Sequence, residues 1–267
     1  MNFTTLIDSL APTGWATMAL VTTRVIGVMM LAPMWSMSSM PRQVRVALAL
    51  AVSFALLPFA PQAAVPDDIW ALPMLVGVEL LIGIVIGLTA ALFLYAVAVA
   101  GEVVSVQMGL AIATALAPGL EFASPGVGSL KNLMALALYF TLGGHLLLIG
   151  GIAESLHVVP PGGAIDTVNL GLGMTEVAGT VFVTAVKIAA PLLAAMMLAN
   201  GILAILSKAV PQINTLMVAF PVTIGLGFIV LGASLPFLNV LIEGWVFSLP
   251  DDIARSVNFL VPQPVGP

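Results

Sequence analysis

Residues 69–100 read IWALPMLVGVELLIGIVIGLTAALFLYAVAVA, and the run contains a single charged side chain, Glu79. A helix rising about 1.5 Å per residue needs roughly 20 apolar residues to cross the hydrocarbon layer of a bilayer. This run is longer than one perpendicular crossing requires, so it must tilt, bend or project beyond the membrane. Reading outward, further apolar stretches fall at 13–33, 44–65, 127–153, 177–206 and 216–246. The first two match one crossing, and the last two are as overlong as 69–100. The fold predicted is all-α: a polytopic membrane protein of six long apolar helical segments with a re-entrant apolar loop. That loop begins in the short apolar stretch 103–117, which Pro118, Gly119, Pro125, Gly126 and Gly128 follow.

Composition points the same way. Hydrophobic residues make up 61% of the 267 positions and charged residues 7%, with a mean hydropathy of +1.18. Soluble domains carry about 25% charged residues, so lipid or partner protein must cover much of this chain. Twelve acids against seven bases give a net charge of -5 with no basic run, which argues against nucleic acid as a partner. The absence of cysteine excludes disulfides, thiolate metal sites and cysteine nucleophiles. No Lys or Arg precedes Arg24, so the first segment lacks the basic flank of a cleavable signal and is expected to remain in the mature protein.

The bases set an orientation. Arg42, Arg45, Lys131 and Lys208 fall in or beside alternate gaps, whereas Asp67, Asp68, Glu154, Asp166 and Glu176 occupy the others. The positive-inside rule then puts both termini outside the cytoplasm. Ala47, Ala51 and Ala55, and likewise Gly83 and Gly87, repeat every four residues, which gives small faces suited to close helix packing, most simply within the chain. Gly and Met are abundant, 25 and 14 residues, as expected of tightly packed helices whose gaps Met fills.

Four ionisable groups lie inside apolar stretches and are expected as buried polar residues: Arg24, Glu79, His145 and Lys187. One reading is a proton or ion path. The favoured one is interhelical neutralisation, with Arg24 or Lys187 pairing Glu79. His145 follows Gly143 and Gly144 and can bond a backbone carbonyl. No carboxylate stands at ligand spacing beside either His145 or His157, so no metal and no cofactor is expected. The G-x-S-x-G, G-x-x-x-x-G-K-[ST] and H-E-x-x-H templates are absent, and no close acid/base constellation suggests an enzyme. Asp251 and Asp252 after Pro250 look like the start of an exposed terminal helix.

Several words carry a family resemblance. RVIGVMMLAP (24–33), MPRQVR (40–45), AGEVVSVQMGLAIA (100–113), Gly143-Gly144-His145, Pro160-Pro161-Gly162, KIAAP (187–191) and VPQIN (210–214) occur in order and at the spacing of the FliR family. The resemblance covers about positions 10 to 250. The injectisome SctT proteins share the architecture, but Gly101-Glu102 with Gln107-Met108-Gly109 resembles the flagellar branch more closely.

The resemblance implies a subunit of the flagellar type III protein-export gate, in the bacterial inner membrane and the flagellar basal body. It implies assembly with FliP-like and FliQ-like subunits, contact with an FlhB-like subunit, and exported flagellar proteins as substrates. In that family the assembly is a closed-topped helical coil lying largely above the plane that hydropathy would give. The resemblance also divides the chain into a FliP-like portion (1–176), a FliQ-like helical hairpin (177–250) and a tail (251–267). The hairpin turn, with Lys208, Pro211, Gln212 and Asn214, is expected to face the FlhB-like partner.

The loop from Gly109 to Pro125 is implied to plug the channel. It is apolar through Leu110, Ile112, Leu116, Leu120 and Phe122, and broken at Pro118 and Pro125. An apolar constriction excludes water and ions by dewetting, while such breaks let a segment move aside. The family's early aromatic positions are occupied here by Ile112 and Leu116. A plain space-filling loop is the competing reading. For the whole chain the alternatives are a small-molecule or ion transporter and a membrane scaffold. A transporter is expected to show paired inverted repeats with matching broken helices, and the 118–128 break has no clear mate in this sequence.

Overall fold

In a computed structural model of the chain, residues 12–32, 35, 41–63, 69–109, 127–210 and 215–261 are described. They form seven α-helices: α1 (Pro12–Leu31), α2 (Arg42–Leu56), α3 (Leu72–Gln107), α4 (Val127–Thr141), α5 (Gly144–Val158), α6 (Thr167–Ala209) and α7 (Thr215–Asn258). Short 3-10 turns at Leu57–Phe59 and Ile69–Ala71 flank the link between α2 and α3. No strand occurs among the described residues, and the all-α membrane fold is as expected.

Five helices are long and apolar enough to cross a membrane, or six if α4 and α5 count as one broken span. The fourth segment, read as continuous from 127 to 153, is interrupted at Leu142 and Gly143. Gly143 has φ +75°, a left-handed conformation that glycine adopts without a Cβ penalty. The overlong segments are longer still as helices, since α6 and α7 have 43 and 44 residues. Pro250 does not begin a new helix, because α7 runs through Pro221, Pro236 and Pro250 to Asn258. Each proline removes one backbone donor, and neighbouring helices and side chains in a membrane bundle can absorb that loss. Ser248 Oγ donates to Asp252 Oδ2 at 3.1 Å across this point. Residues 110–126, which hold most of the predicted plug loop, and 211–214 in the predicted hairpin turn lie outside the described residues.

The chain divides into two compact units. The first comprises residues up to Leu92, Gly143–Gly179 and the segment from Val246 onward. Here α1 and α3 run parallel. A Cβ on Gly27 would stand 2.5 Å from the Leu80 carbonyl oxygen, one on Gly83 would collide with the Arg24 carbonyl oxygen, and one on Gly87 would stand 2.6 Å from that of Val28. The Gly83 and Gly87 face is therefore spent on intrachain packing against α1, with backbones close enough for Cα–H contacts to carbonyls. The chain after α2 returns to the start of α1, where the Ala63 N–H donates to Thr17 Oγ1 at 2.9 Å, so α2 is antiparallel to α1. α2 buries Ala49, Ser53 and Leu56, while Ala47, Ala51 and Ala55 are exposed.

The second unit comprises Phe93–Leu142 and Thr180–Trp245. Val104, Met108, Leu192, Met196 and Leu231 form its apolar core. Phe93 stacks on Trp245 with ring centroids 4.6 Å apart, and Tyr139 lies 5.6 Å from the same indole. Both α6 and α7 are less than a quarter buried over their apolar spans, whereas α3 is two-thirds buried.

Candidate functional site

Three elements of the first unit bring together the two oppositely charged residues expected inside apolar segments. Arg24 on α1 and Glu79 on α3 are both fully buried. Arg24 Nε donates to Glu79 Oε2 at 2.7 Å and Nη2 to Glu79 Oε1 at 3.2 Å, a two-pronged pair matching the planar fork of guanidinium to carboxylate. The remaining donors turn to the end of α5. Nη1 reaches the Ser155 carbonyl at 2.9 Å and Ser155 Oγ at 3.1 Å, and Nη2 reaches the Val159 carbonyl at 2.9 Å.

Each N–H of the guanidinium thus has an acceptor, using all five that Arg carries. Ser155 Oγ in turn donates to the Ile152 carbonyl at 2.7 Å. Glu79 Oε1 also accepts the Gly162 N–H at 3.0 Å, in the turn where Gly162 takes φ +82° and the Gly163 N–H bonds the Pro160 carbonyl at 2.8 Å. The last carbonyls of a helix have no intrahelical partner and form the negative end of its dipole. Arg24 supplies both hydrogen bonds and positive charge there, while Glu79 neutralises Arg24 and holds the following turn.

A pair so fully hydrogen-bonded holds backbone in place. Of the two bases the sequence offered to Glu79, the structure pairs Arg24. Ser155 and Val159 were not found from sequence, and Gly162 entered only as part of the Pro160-Pro161-Gly162 word; Val159 and Gly162 act through backbone atoms that leave no side-chain signal.

The other expected buried groups differ. Lys187 is exposed on α6, at the rim of a cavity of about 450 Å³ lined by Pro191, Val230, Ser234 and Phe237. Its helix is apolar around most of its circumference, and hydropathy cannot tell which side turns inward. His145 is only half-buried. Conversely, Lys131, read as a flanking charge, is buried at the start of α4. Lys208 is exposed near the end of α6.

Gly109, the first residue of the predicted plug loop, ends α3 in a left-handed turn with φ +79°, and a Cβ there would stand 3.1 Å from the Phe220 ring. Thr223 Oγ1 bonds the Ala219 carbonyl of its own helix at 2.9 Å and also lies 3.2 Å from the Met108 carbonyl, so the root of the loop packs against α7. Leu110, Ile112, Leu116, Pro118, Leu120, Phe122 and Pro125, with Pro211, Gln212 and Asn214 of the hairpin turn, fall outside the described residues.

Against known proteins, residues 15–248 match the family described as "Bacterial export proteins, family 1". The chain is 31% identical over 240 residues to the flagellar biosynthetic protein FliR of Escherichia coli (strain K12), covering 89% of this chain and 92% of that protein. The flagellar biosynthetic protein FliR of Aquifex aeolicus (strain VF5) is 30% identical over 222 residues, covering 81% and 84%. That of Bacillus subtilis (strain 168) is 30% identical over 190 residues, covering 68% and 71%.

Proposed function

Since this chain belongs to the FliR family of bacterial export proteins, we propose that it is a non-enzymatic subunit of the flagellar type III protein-export gate. The observation that carries this reading is similarity to FliR along nearly the whole chain, with coverage of both partners near nine-tenths for the Escherichia coli protein. In this reading the chain forms part of the channel through which unfolded flagellar proteins leave, and resides in the inner membrane at the basal body. FliP-like and FliQ-like subunits surround it, and an FlhB-like subunit touches the turn at Lys208, Pro211, Gln212 and Asn214.

The physical features agree with such a role. In the second unit Leu192 and Met196 of α6 share one core with Leu231 of α7, which supports reading the two helices as the FliQ-like hairpin. As helices they overrun the 177–250 bounds, starting at Thr167 and ending at Asn258. Large apolar side chains on both are exposed, among them Phe182, Leu198, Ile202, Met217 and Ile229, and burial against other subunits or lipid would remove them from water. The loop from Gly109 to Pro125 is the plug, held at its root by the Gly109 turn and by Thr223.

Secretion tests this directly. A strain lacking the gene should retain flagellar rod, hook and filament proteins in the cytoplasm and be non-motile, with both defects restored by the gene in trans. Normal secretion in the deletion strain would reject the export role and favour a small-molecule transporter.

A further inference from the structure

The two ion pairs among the described residues, Arg24–Glu79 and Arg255–Asp252, both belong to the first unit. In the second unit Glu102, Lys187 and Glu243 are exposed on helices that are otherwise apolar, and none of them forms an ion pair among the described residues. Lys187 is the most telling of the three, because it lies nine residues inside the apolar stretch Ala178–Ala209 of α6. An ammonium set so far into an apolar segment is costly unless it meets a counter-charge, a backbone carbonyl or water. Glu79, the carboxylate that the sequence offered it, is taken by Arg24.

The cavity beside Lys187 says what kind of surface brings the counter-charge. One wall consists of Val230, Ala233, Ser234 and Phe237. These stand at positions i, i+3, i+4 and i+7 of α7, the four-residue frame that receives a single side chain when helices pack knobs into holes. Opposite them α6 contributes Lys187 and, one turn on, Pro191. Pro191 has no N–H, so the Lys187 carbonyl lacks its helical donor beside the same space. About 450 Å³ within this frame stays open, and a helix interface packed to interior density leaves no gap of that size. Val183, one turn before Lys187, and Val240, one turn after Phe237, are exposed and extend the apolar rim. Lipid can cover apolar walls without matching a four-residue frame, whereas a neighbouring helix uses one.

We propose that this frame docks a helix of a neighbouring subunit, with one apolar side chain seated among Val230, Ala233, Ser234 and Phe237 and an Asp or Glu about one turn away on the Lys187 ammonium. The inference rests on reading the chain as one subunit of a membrane assembly, and it adds which surface is used and what charge the partner brings. The pair acts chiefly as a selector, since a helix with a base or an apolar residue at that position leaves a charge uncompensated in the contact.

The test uses the tagged full-length chain expressed with its companion export subunits. It reads how much of the other subunits is retained per tagged chain after gentle solubilisation. Lys187→Arg keeps the positive charge and should stay within about threefold of the parent. Lys187→Glu sets like charges against each other and should lower retention about tenfold or more, with the amount of tagged chain in the membrane unchanged. In the parental complex a carbodiimide, which joins an amine to a touching carboxylate, should join Lys187 to an Asp or Glu of another subunit, read by mass spectrometry of the branched peptide. A Lys187→Glu complex as abundant as the parent would set Lys187 against water or lipid headgroups and overturn the proposal. So would a Lys187 adduct confined to Glu102 or Glu243 of its own chain. Where no adduct forms, the two variants decide. If Lys187→Glu lowers the tagged chain itself, Ala233→Phe decides in its place. It fills the frame from its own wall and should lower retention about threefold or more, and parental retention would overturn the proposal. A parental chain that retains no other subunit would instead reject the assembly reading beneath it.

Discussion

In the first unit the buried guanidinium of Arg24 has an acceptor for every N–H, while in the second the buried Tyr139 hydroxyl and Ser105 Oγ have no hydrogen-bond partner among the described residues. The contrast extends to helix contacts. Gly83 in the first unit faces rigid backbone, the Arg24 carbonyl. Gly227 in the second faces only the Met108 side chain, whose Cε would stand 2.6 Å from an added Cβ. Around Arg24 and Glu79 the first unit is specified by hydrogen bonds and by backbone approach that permits no Cβ, although the buried Trp35 Nε1 of that unit also has no hydrogen-bond partner among the described residues. The other is filled by methionine and aromatic rings, carries a cavity beside Lys187, and leaves most of α6 and α7 uncovered. A satisfied polar network fixes one arrangement of the backbone, whereas packing by methionine and rings leaves room for adjustment.

Substitutions can break that comparison. The largest effect is expected from Glu79→Ala, which leaves Arg24 charged and buried without its counter-ion, a loss of about 3–5 kcal/mol. The full-length protein, tagged with a fluorophore and followed by size-exclusion chromatography after heating of solubilised membranes, should lose its folded peak at much lower temperature. An unchanged transition would show that the pair does not hold the unit.

Gly83→Ala comes next. The new Cβ has only backbone to displace, and overpacking of this kind costs about 1–3 kcal/mol. Gly227→Ala should cost under about 1 kcal/mol, since Met108 can change rotamer and alanine favours the helix by a similar amount. The difference between these two alanines, measured in the same heating assay, is the sharpest form of the comparison. Equal costs would mean that the second unit is as rigid as the first. Smallest is Tyr139→Phe, expected within about 0.5 kcal/mol of the parent or slightly stabilising, because a buried hydroxyl without a partner contributes desolvation cost and no bond. Marked destabilisation would reveal a partner for that hydroxyl.

Much of this could be read from sequence because membrane helices announce themselves by composition. The lone Glu79 in residues 69–100 and Arg24 in the first segment had to be neutralised somewhere, and pairing was the economical solution. Four features were illegible for physical reasons. The interruption at Gly143 depends on the sign of φ, which hydropathy does not register, although Gly143-Gly144 was present as a hint. The roles of Ser155, Val159 and Gly162 rest largely on backbone atoms common to every residue. Lys187 and Lys131 were placed on the wrong side of the burial boundary because a helix apolar nearly all round gives no azimuth, so a charge on it can face a cavity rim or a packed neighbour. The continuation of α7 past Pro250 likewise escaped the proline rule, since helix ends in a membrane bundle are set by surroundings as much as by local propensity.

In the function proposed, the chain lines a protein-export channel and the loop beginning at Gly109 seals it. The most direct measurement is ion leakage across the inner membrane of cells whose complex lacks residues 112–120, scored only where the complex is shown to have assembled. A dewetted apolar constriction that has been removed no longer bars ions, so the deletion should raise leakage well above that of the parent, with charged substitution of Leu116 or Phe122 giving a milder rise. An assembled complex bearing the deletion that remains as tight to ions as the parent would contradict the plug.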